Sequence, residues 1–432
     1  VDKSMRDGLR WSRSAVGRGL LLKTSFEEVH RMTRAWFMEF TATLCLIGGQ
    51  LPGPVVAGEK QPASDAAPVN VMQCGAVGDG RADDAPAIQR ALDRGAAVVI
   101  IPAGQYRVGQ TLRIGSGTTL KADPQAVIRL ADGAGNHVSR FLLANRNPGN
   151  GNQRITVEGG IWDGNNEHNR RGRDGDLFGY TGTAINFTNV KHLVVRNLTV
   201  RDPEAFSVRL GEVEDFLVED IVLDHRTVRP NQDGIHVGGF SERGVIRRIR
   251  ALAPNTPNDD MVALNADDDV ERVLNLGMRR GPIRNVLVED LQAQGAYNFV
   301  RILSAGAPVE HITVRRVTGS CRFYAVNLNS WRFPPGIGDI RNVRLEQFRV
   351  AKTVMNPWAA SLIHVQLNVY DLVIRDFDRV ACPAAESATT LTLANGRENA
   401  IRLNGGPVQM VRDFTIPAGS IHALDLNISA PR

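Results

Sequence analysis

Phe216-Leu217-Val218-Glu219-Asp220-Ile221 decides the fold, because the chain writes it repeatedly. Further copies are Leu193-Val194-Val195-Arg196-Asn197-Leu198, Val286-Leu287-Val288-Glu289-Asp290-Leu291 and Ile312-Thr313-Val314-Arg315-Arg316-Val317. Val343-Arg344-Leu345-Glu346-Gln347-Phe348 and Leu372-Val373-Ile374-Arg375-Asp376-Phe377 follow the same plan. Each copy closes with a charged residue, a polar or charged residue, then an apolar one. Equivalent positions lie 23 residues apart from Asn197 to Asp220, 26 from Asp290 to Arg316, 31 from Arg316 to Gln347 and 29 from Gln347 to Asp376. A fixed strand pattern joined by loops of varying length, at this period, marks a β-solenoid whose coils bury their apolar residues against one another. The leucine-rich signature that shares this spacing is absent. The fold class expected from the repeat is all-β, a β-solenoid.

A second set of strands precedes these copies, at 184–187, 206–210, 234–237, 261–264, 300–303, 325–328 and 362–365. Strand alternation sends Ile185, Val208, Ile235, Val237, Val262, Leu264, Val300, Ile302, Val326 and Leu328 inward. It leaves Arg209, His236, Arg301, Asn327 and Asn329 on one outer sheet, facing solvent, with Trp331 just beyond. Such a polar row suggests a groove for an extended polar chain.

Two acidic strings run into this sheet. Asn231-Gln232-Asp233-Gly234 and Asn258-Asp259-Asp260 place Asp233 and Asp260 27 residues apart, close to one coil. Neighbouring strands lie about 4.8 Å apart, so stacking brings Asp233, Asp259 and Asp260 onto one surface. Like charges so close are costly to assemble and shift one another's pKa values, which makes them candidate acids and bases. Asp267, Asp268 and Asp269 instead suit turns, where a short carboxylate bonds nearby backbone N–H groups.

The segment 69–108 reads as an opening unit. A strand at 69–72 leads into the tight turn Cys74-Gly75-Ala76-Val77-Gly78-Asp79-Gly80. Asp83 or Asp84 can cap a helix with Pro86 in its first turn and Ala87, Ile88, Ala91 and Leu92 as its apolar stripe. A return strand at 97–101 completes the unit. No GxGxxG or GxxxxGK accompanies the glycines, so the helix is expected to plug the stack's exposed edge rather than bind phosphate.

Gly is frequent at 42 of 432 residues, as short strands with tight turns require. The formal charge is +5, but residues 1–58 carry 8 basic and 5 acidic groups. The remainder is near neutral, which argues against nucleic acid as a partner. Residues 1–57 read as an upstream extension followed, at 32–57, by a secretory signal that starts near Arg34 and ends at Val55-Val56-Ala57, so the body begins at Gly58 and runs to 432. A secreted or periplasmic product is expected. No later stretch has the ~18–20 apolar residues of a membrane span. Cys45, Cys74, Cys321 and Cys382 form no CxxC and no metal spacing, and at least one thiol is left unpaired if the signal is removed.

The opening unit, with Gly75–Gly80 at its centre, is similar to the N-terminal unit of pectin-degrading right-handed parallel β-helix proteins, which implies an all-β, single-stranded right-handed parallel β-helix with an N-terminal capping helix. The two acidic strings resemble the Asn-Thr-Asp and Gly-Asp-Asp motifs of the polygalacturonases, glycoside hydrolases of family 28. That resemblance, over roughly 69–380, implies an inverting hydrolase in which Asp259 is the general acid while Asp233 and Asp260 hold and activate water. The implied pair of carboxyl groups stands ~6.5–9.5 Å apart. No cofactor or metal is implied, and a monomer is expected. The family's Gly-His-Gly position falls on Tyr297 or Asn298. Its Arg-Ile-Lys motif has a string match at Arg301-Ile302-Leu303, without the lysine, whereas counting coils places it at Asn327-Leu328-Asn329. A weakened carboxylate clamp leaves the sugar at that subsite open between a uronate and a neutral unit. The insertion 267–282, carrying Arg272, Arg279 and Arg280, is expected to wall one end of the groove.

The same scaffold also serves polysaccharide lyases and uronate epimerases, where the aspartates would hold Ca²⁺ and Arg301 or Arg209 would abstract a sugar proton. A tailspike-like carbohydrate-binding β-helix is the third reading.

Overall fold

The computed structural model describes residues 67–171, 181–267, 278–328 and 334–428. The expected signal at 32–57 lies outside them, as do Asn329, Trp331, Asp268, Asp269 and Arg272.

The body is a right-handed parallel β-helix. Register runs unbroken along its axis: Leu112, Leu143, Ile185, Val208, Ile235, Val262, Val300, Val326, Ile363 and Leu391 are successive partners. Every member of this column is fully buried. A second inward column passes through Leu120, Val157, Val195, Val218, Ile246, Val288, Val314, Leu345 and Ile374. Removing these side chains from water, at about 25 cal/mol per Å² of apolar surface, is what drives the stack together.

The repeat's polar positions now acquire a reason. Asn197, Asp220, Arg248, Asp290, Arg316, Gln347 and Asp376 all have φ between +53° and +58°, the left-handed conformation. Five residues earlier, His192, Asp215, Arg243, Asn285, His311, Asn342 and Asp371 are also left-handed, with φ between +51° and +63°. Each coil therefore bends sharply twice without breaking its ladder, as in the 17-residue strand Val208–Asp224. Asn and Asp tolerate this conformation best; the arginines there are held by ion pairs. Between the bends runs an outward column of alternating sign: Lys121, Glu158, Arg196, Glu219, Arg247, Glu289, Arg315, Glu346 and Arg375. Arg247 Nε meets Glu219 Oε2 at 2.8 Å, and Arg315 Nε meets Glu289 Oε2 at 2.7 Å.

At the start, the strand is shorter than the expected 69–72: only Val69–Asn70 pairs, and Val71–Cys74 is a 3-10 turn capped by the Asn70 side chain. The helix Ala85–Asp93 buries the expected stripe of Ala87, Ile88, Ala91 and Leu92. Its Asp84 does not cap it. The Asp84 carboxylate instead accepts from Val77 N at 2.6 Å and Gly78 N at 3.1 Å, latching the glycine turn, while Asp83 accepts from Ala85 N at 3.1 Å.

At the far end the parallel rule stops. The strand Ile421–Ile428 pairs antiparallel with Val369–Val380 and with Asn399–Leu403, and Phe414–Ile416 pairs antiparallel with Thr389–Leu393. These strands occupy ladder edges that would otherwise stay open. Cys74, Cys321 and Cys382 are free thiols. No helix among the described residues is long and apolar enough to cross a membrane.

Candidate active site

The acidic strings converge as stacking requires. Ile235 pairs with Val262, and Gly234 N donates to Asp260 O at 2.9 Å, which sets Asp233 beside Asp260 on the next coil. Gly234 permits this approach, since a Cβ there would meet Met261 O at 2.4 Å. One carboxylate oxygen from each of Asp233, Asp259 and Asp260 lies within 4.8 Å of the others.

Each acid is braced differently. Asp233, 3% exposed, bonds His236 Nδ1 through Oδ2 at 2.6 Å, and the imidazole packs against Phe206 with centroids 4.4 Å apart. Asp260, equally buried, accepts from Asn298 Nδ2 at 2.7 Å, with Arg301 Nε 4.0 Å away. Asp259 is half-buried. Burial, then the charges of Asp260 and Asp233, hold its carboxyl well above the usual carboxylate range, against the opposing pull of Arg301 and the Asn231 amide. One trio therefore contains an acid driven toward its protonated form and two braced carboxylates.

Asn298, and not Tyr297, is the residue bonded to the trio, and its Oδ1 also accepts Tyr324 N at 2.9 Å. Tyr297 stands alongside. Burial and the nearby charges of Asp259 and Asp260 push its phenol up.

The outer row is not open to solvent as expected. Arg209 is fully buried, and His236 and Asn327 are 3% and 4% exposed. Arg209 lies between the Phe141 and Phe206 rings, 5.5 and 5.9 Å from their centroids, with Nε donating to Asn186. Alternation specifies which side of a strand a residue takes, not what covers it. Arg301 retains 12% side-chain exposure beside Asp260; Asn327 follows it one coil on. Of the insertion's described end, Met278 Sδ lies close over Gly211 and Gly238, and Arg279 pairs with Glu212. Asp267 behaves as a turn residue, accepting from Gly306 N at 3.0 Å and Ala307 N at 3.2 Å.

Sequence reading missed a second layer. Arg171 Nη1 donates to Asn231 Oδ1 at 2.8 Å, and Asn231 Nδ2 donates to Asp259 Oδ2 at 3.3 Å. Glu204, whose carboxyl burial pushes up, accepts from Arg171 N and meets Arg229 Nε at 3.0 Å. The signal was the polar run Asp163-Gly164-Asn165-Asn166-Glu167-His168-Asn169-Arg170-Arg171, too polar for a plain coil loop.

Comparison with known proteins agrees on architecture. A family described as Rhamnogalacturonase A/epimerase, pectate lyase-like, matches residues 68–238. The chain is 29% identical over 204 residues to mannuronan C5-epimerase AlgE1 of Azotobacter vinelandii, an alignment covering 39% of this chain and 14% of that protein. It is 26% identical over 266 residues to a probable polygalacturonase of Arabidopsis thaliana, covering 54% of each. It is 30% identical over 148 residues to the pre-neck appendage protein of Bacillus phage phi29, covering 34% of this chain and 16% of that one. The chain thus spans only 11–36% of the length of the epimerases it matches. Among solved structures, a hyperthermoactive exopolygalacturonase from Thermotoga maritima superposes with a TM-score of 0.53 at 15% identity, covering 84% of this chain and 97% of that one. What these proteins share with the chain is the pectate-lyase-like β-helix; their functions span hydrolase, epimerase and phage appendage.

Proposed function

We propose that this chain is a glycoside hydrolase acting on a pectin-like polysaccharide or an oligosaccharide derived from it. The observation that carries the reading is the unequal trio. Asp259, kept toward its protonated form, can give its proton to the glycosidic oxygen as the bond breaks. Because Asn231 donates to Oδ2 of Asp259, the transferable proton belongs on Oδ1. Asp233 and Asp260, braced by His236 and Asn298, are two acceptors able to orient one water and take its proton. A lone nucleophile would need one such carboxylate; two favour a held water and hence inversion, as the resemblance implies. A retaining enzyme would instead place its two carboxyl groups ~5–5.5 Å apart and pass through a covalent intermediate. Following the anomer first released, by NMR, separates the two outcomes. Arg301, whose buried Nε makes no hydrogen bond and lies 4.0 Å from Asp260, is the cation that faces a sugar's acidic or hydroxyl group at this point. Export to a compartment where plant-type polysaccharide is met belongs to the same proposal.

The second reading, a lyase or epimerase, is favoured by the epimerase relatives and by three carboxylates close enough to share a cation. A bound divalent cation would itself relieve the repulsion from Asp260 and Asp233 that raises Asp259, so the separation of the two readings rests on the products. Incubation with galacturonan and rhamnogalacturonan tests both: new reducing ends without ultraviolet-absorbing unsaturated products, and insensitive to chelator, support hydrolysis. Unsaturated, calcium-dependent products would replace it with the lyase.

A further inference from the structure

Beside the aspartates begins a row of rings the reaction does not require. Half-buried Tyr297 and Phe323 stack with centroids 3.9 Å apart, Phe323 meets Tyr324 edge-on at 6.4 Å, and Tyr324 leans on His364 at 5.6 Å. Asp260, Asn298 and Tyr324 are register partners on successive coils, so the row travels on the order of 10 Å along the axis.

At its far end is Trp358, 83% exposed. No other large apolar side chain among the described residues is as exposed; the next, Val77 and Met410, reach 52%. Leaving an indole in water forgoes the burial that ordinarily stabilises so large an apolar group. Nor is it a loose tip. Trp358 N donates to Asn356 Oδ1 at 2.9 Å, Ala359 N to Asn356 O at 2.9 Å, and the Tyr324 hydroxyl to Trp358 O at 2.9 Å. The backbone is fastened on both sides while the ring is held out, and the fastening comes from the aromatic row itself.

We propose that Trp358 is a carbohydrate-stacking platform, and that with Tyr297 and Phe323 it forms a track for sugar units of the same chain beyond the bond being cleaved. The apolar C–H face of a pyranose matches the flat, polarizable indole, whose N–H stays free for a hydroxyl. The ligand class is therefore an extended oligosaccharide, reaching from the aspartates to the indole. A sugar chain that touches both must pass the coils from Asp260 to Tyr324 and reach Trp358 beyond them. This rests on the aspartate trio being the reacting centre, but its binding component can be tested without turnover.

The test uses the full chain in the Asp259→Asn form, titrated with disaccharides and hexasaccharides of galacturonan and rhamnogalacturonan by tryptophan fluorescence and calorimetry. At least one hexasaccharide is expected to bind and quench emission. Trp358→Ala in that background should weaken it roughly tenfold, as about 1.4 kcal/mol per decade converts a stacking contact. Trp358→Phe should restore most of the affinity, and disaccharide binding should not respond to either change. Equal hexasaccharide affinity with and without the indole, or no binding of any of these sugars, overturns the platform. Wild-type cleavage indifferent to Trp358→Ala removes the platform and leaves hydrolysis standing. Indole-dependent binding without any release of reducing ends does the reverse.

Discussion

The side-chain amide of Asn298 joins Asp260 to the coil below it, donating to Oδ1 at 2.7 Å while its own Oδ1 receives Tyr324 N. Asn298 is fully buried, so neither bond has water as a substitute. Asn298→Ala should cost about 1–3 kcal/mol by stranding both partners, and should lower kcat roughly tenfold or more by loosening Asp260. Thermal unfolding and steady-state kinetics check the two effects. Asn298→Asp, which adds a fourth carboxylate, should be worse on both counts.

Asp259→Asn should abolish release of reducing ends, by about 10³-fold or more, with the fold intact. The wild-type rate should fall as pH rises through the folded pKa of Asp259, since only the protonated form can act. Stability carries the same sign. The folded state holds this proton more tightly than the unfolded chain, so stability is lost as pH rises from the ordinary carboxylate value of 3.8 through the raised one. At neutral pH the inactive Asn variant should therefore melt higher than wild type, and that loss should vanish from its stability profile.

Arg171 tests the layer behind the acid. Its guanidinium occupies Asn231 Oδ1 and so forces the amide to present Nδ2 to Asp259. In Arg171→Met the amide can turn and accept the acid's proton instead, which stabilises the protonated form. The alkaline limb of the kcat profile should move to higher pH, with kcat reduced roughly tenfold; Arg171→Lys should restore part of both. An unmoved limb would reduce Arg171 to a packing role.

His225 is fully buried, bonds Ser207 Oγ at 2.9 Å through Nε2, and has its pKa lowered to about 4 by burial. The unfolded chain takes up this proton near 6.5 and the folded one does not. Stability should therefore decline as pH falls between 6.5 and about 4, this residue contributing up to about 3 kcal/mol of the loss. Denaturant melts across that range should show a flatter profile for His225→Gln.

Glu219 sits in the charge column between Arg196 and Arg247, and its Oε2 also accepts from Arg248 Nη2 at 2.6 Å. Glu219→Arg places like charges directly opposite on both sides and should cost about 1–2 kcal/mol, more at low salt than at high salt. Chemical denaturation at two ionic strengths measures it.

The repeat and the acidic strings were legible because both are local: apolar spacing and a short motif survive in one dimension. The layer behind Asp259 was not, because Arg171 and Glu204 lie on earlier coils, and Arg171 meets Asn231 and Glu204 only once the stack forms. The outer row failed for a different reason. Arg209 and His236 take the predicted side of their strands, yet aromatic rings from Phe141 and Phe206 cover them. The closing segment was illegible because Ile421–Ile428 finds Val369–Val380 antiparallel, outside the period that revealed everything else.

The alternating column from Lys121 to Arg375 also constrains how such a molecule can lengthen or shorten. Excising one turn would set two cations or two glutamates face to face across the splice, whereas excising two restores complementary neighbours. Descendants of this chain should therefore gain or lose turns in even numbers, a parity rule written on its outer wall.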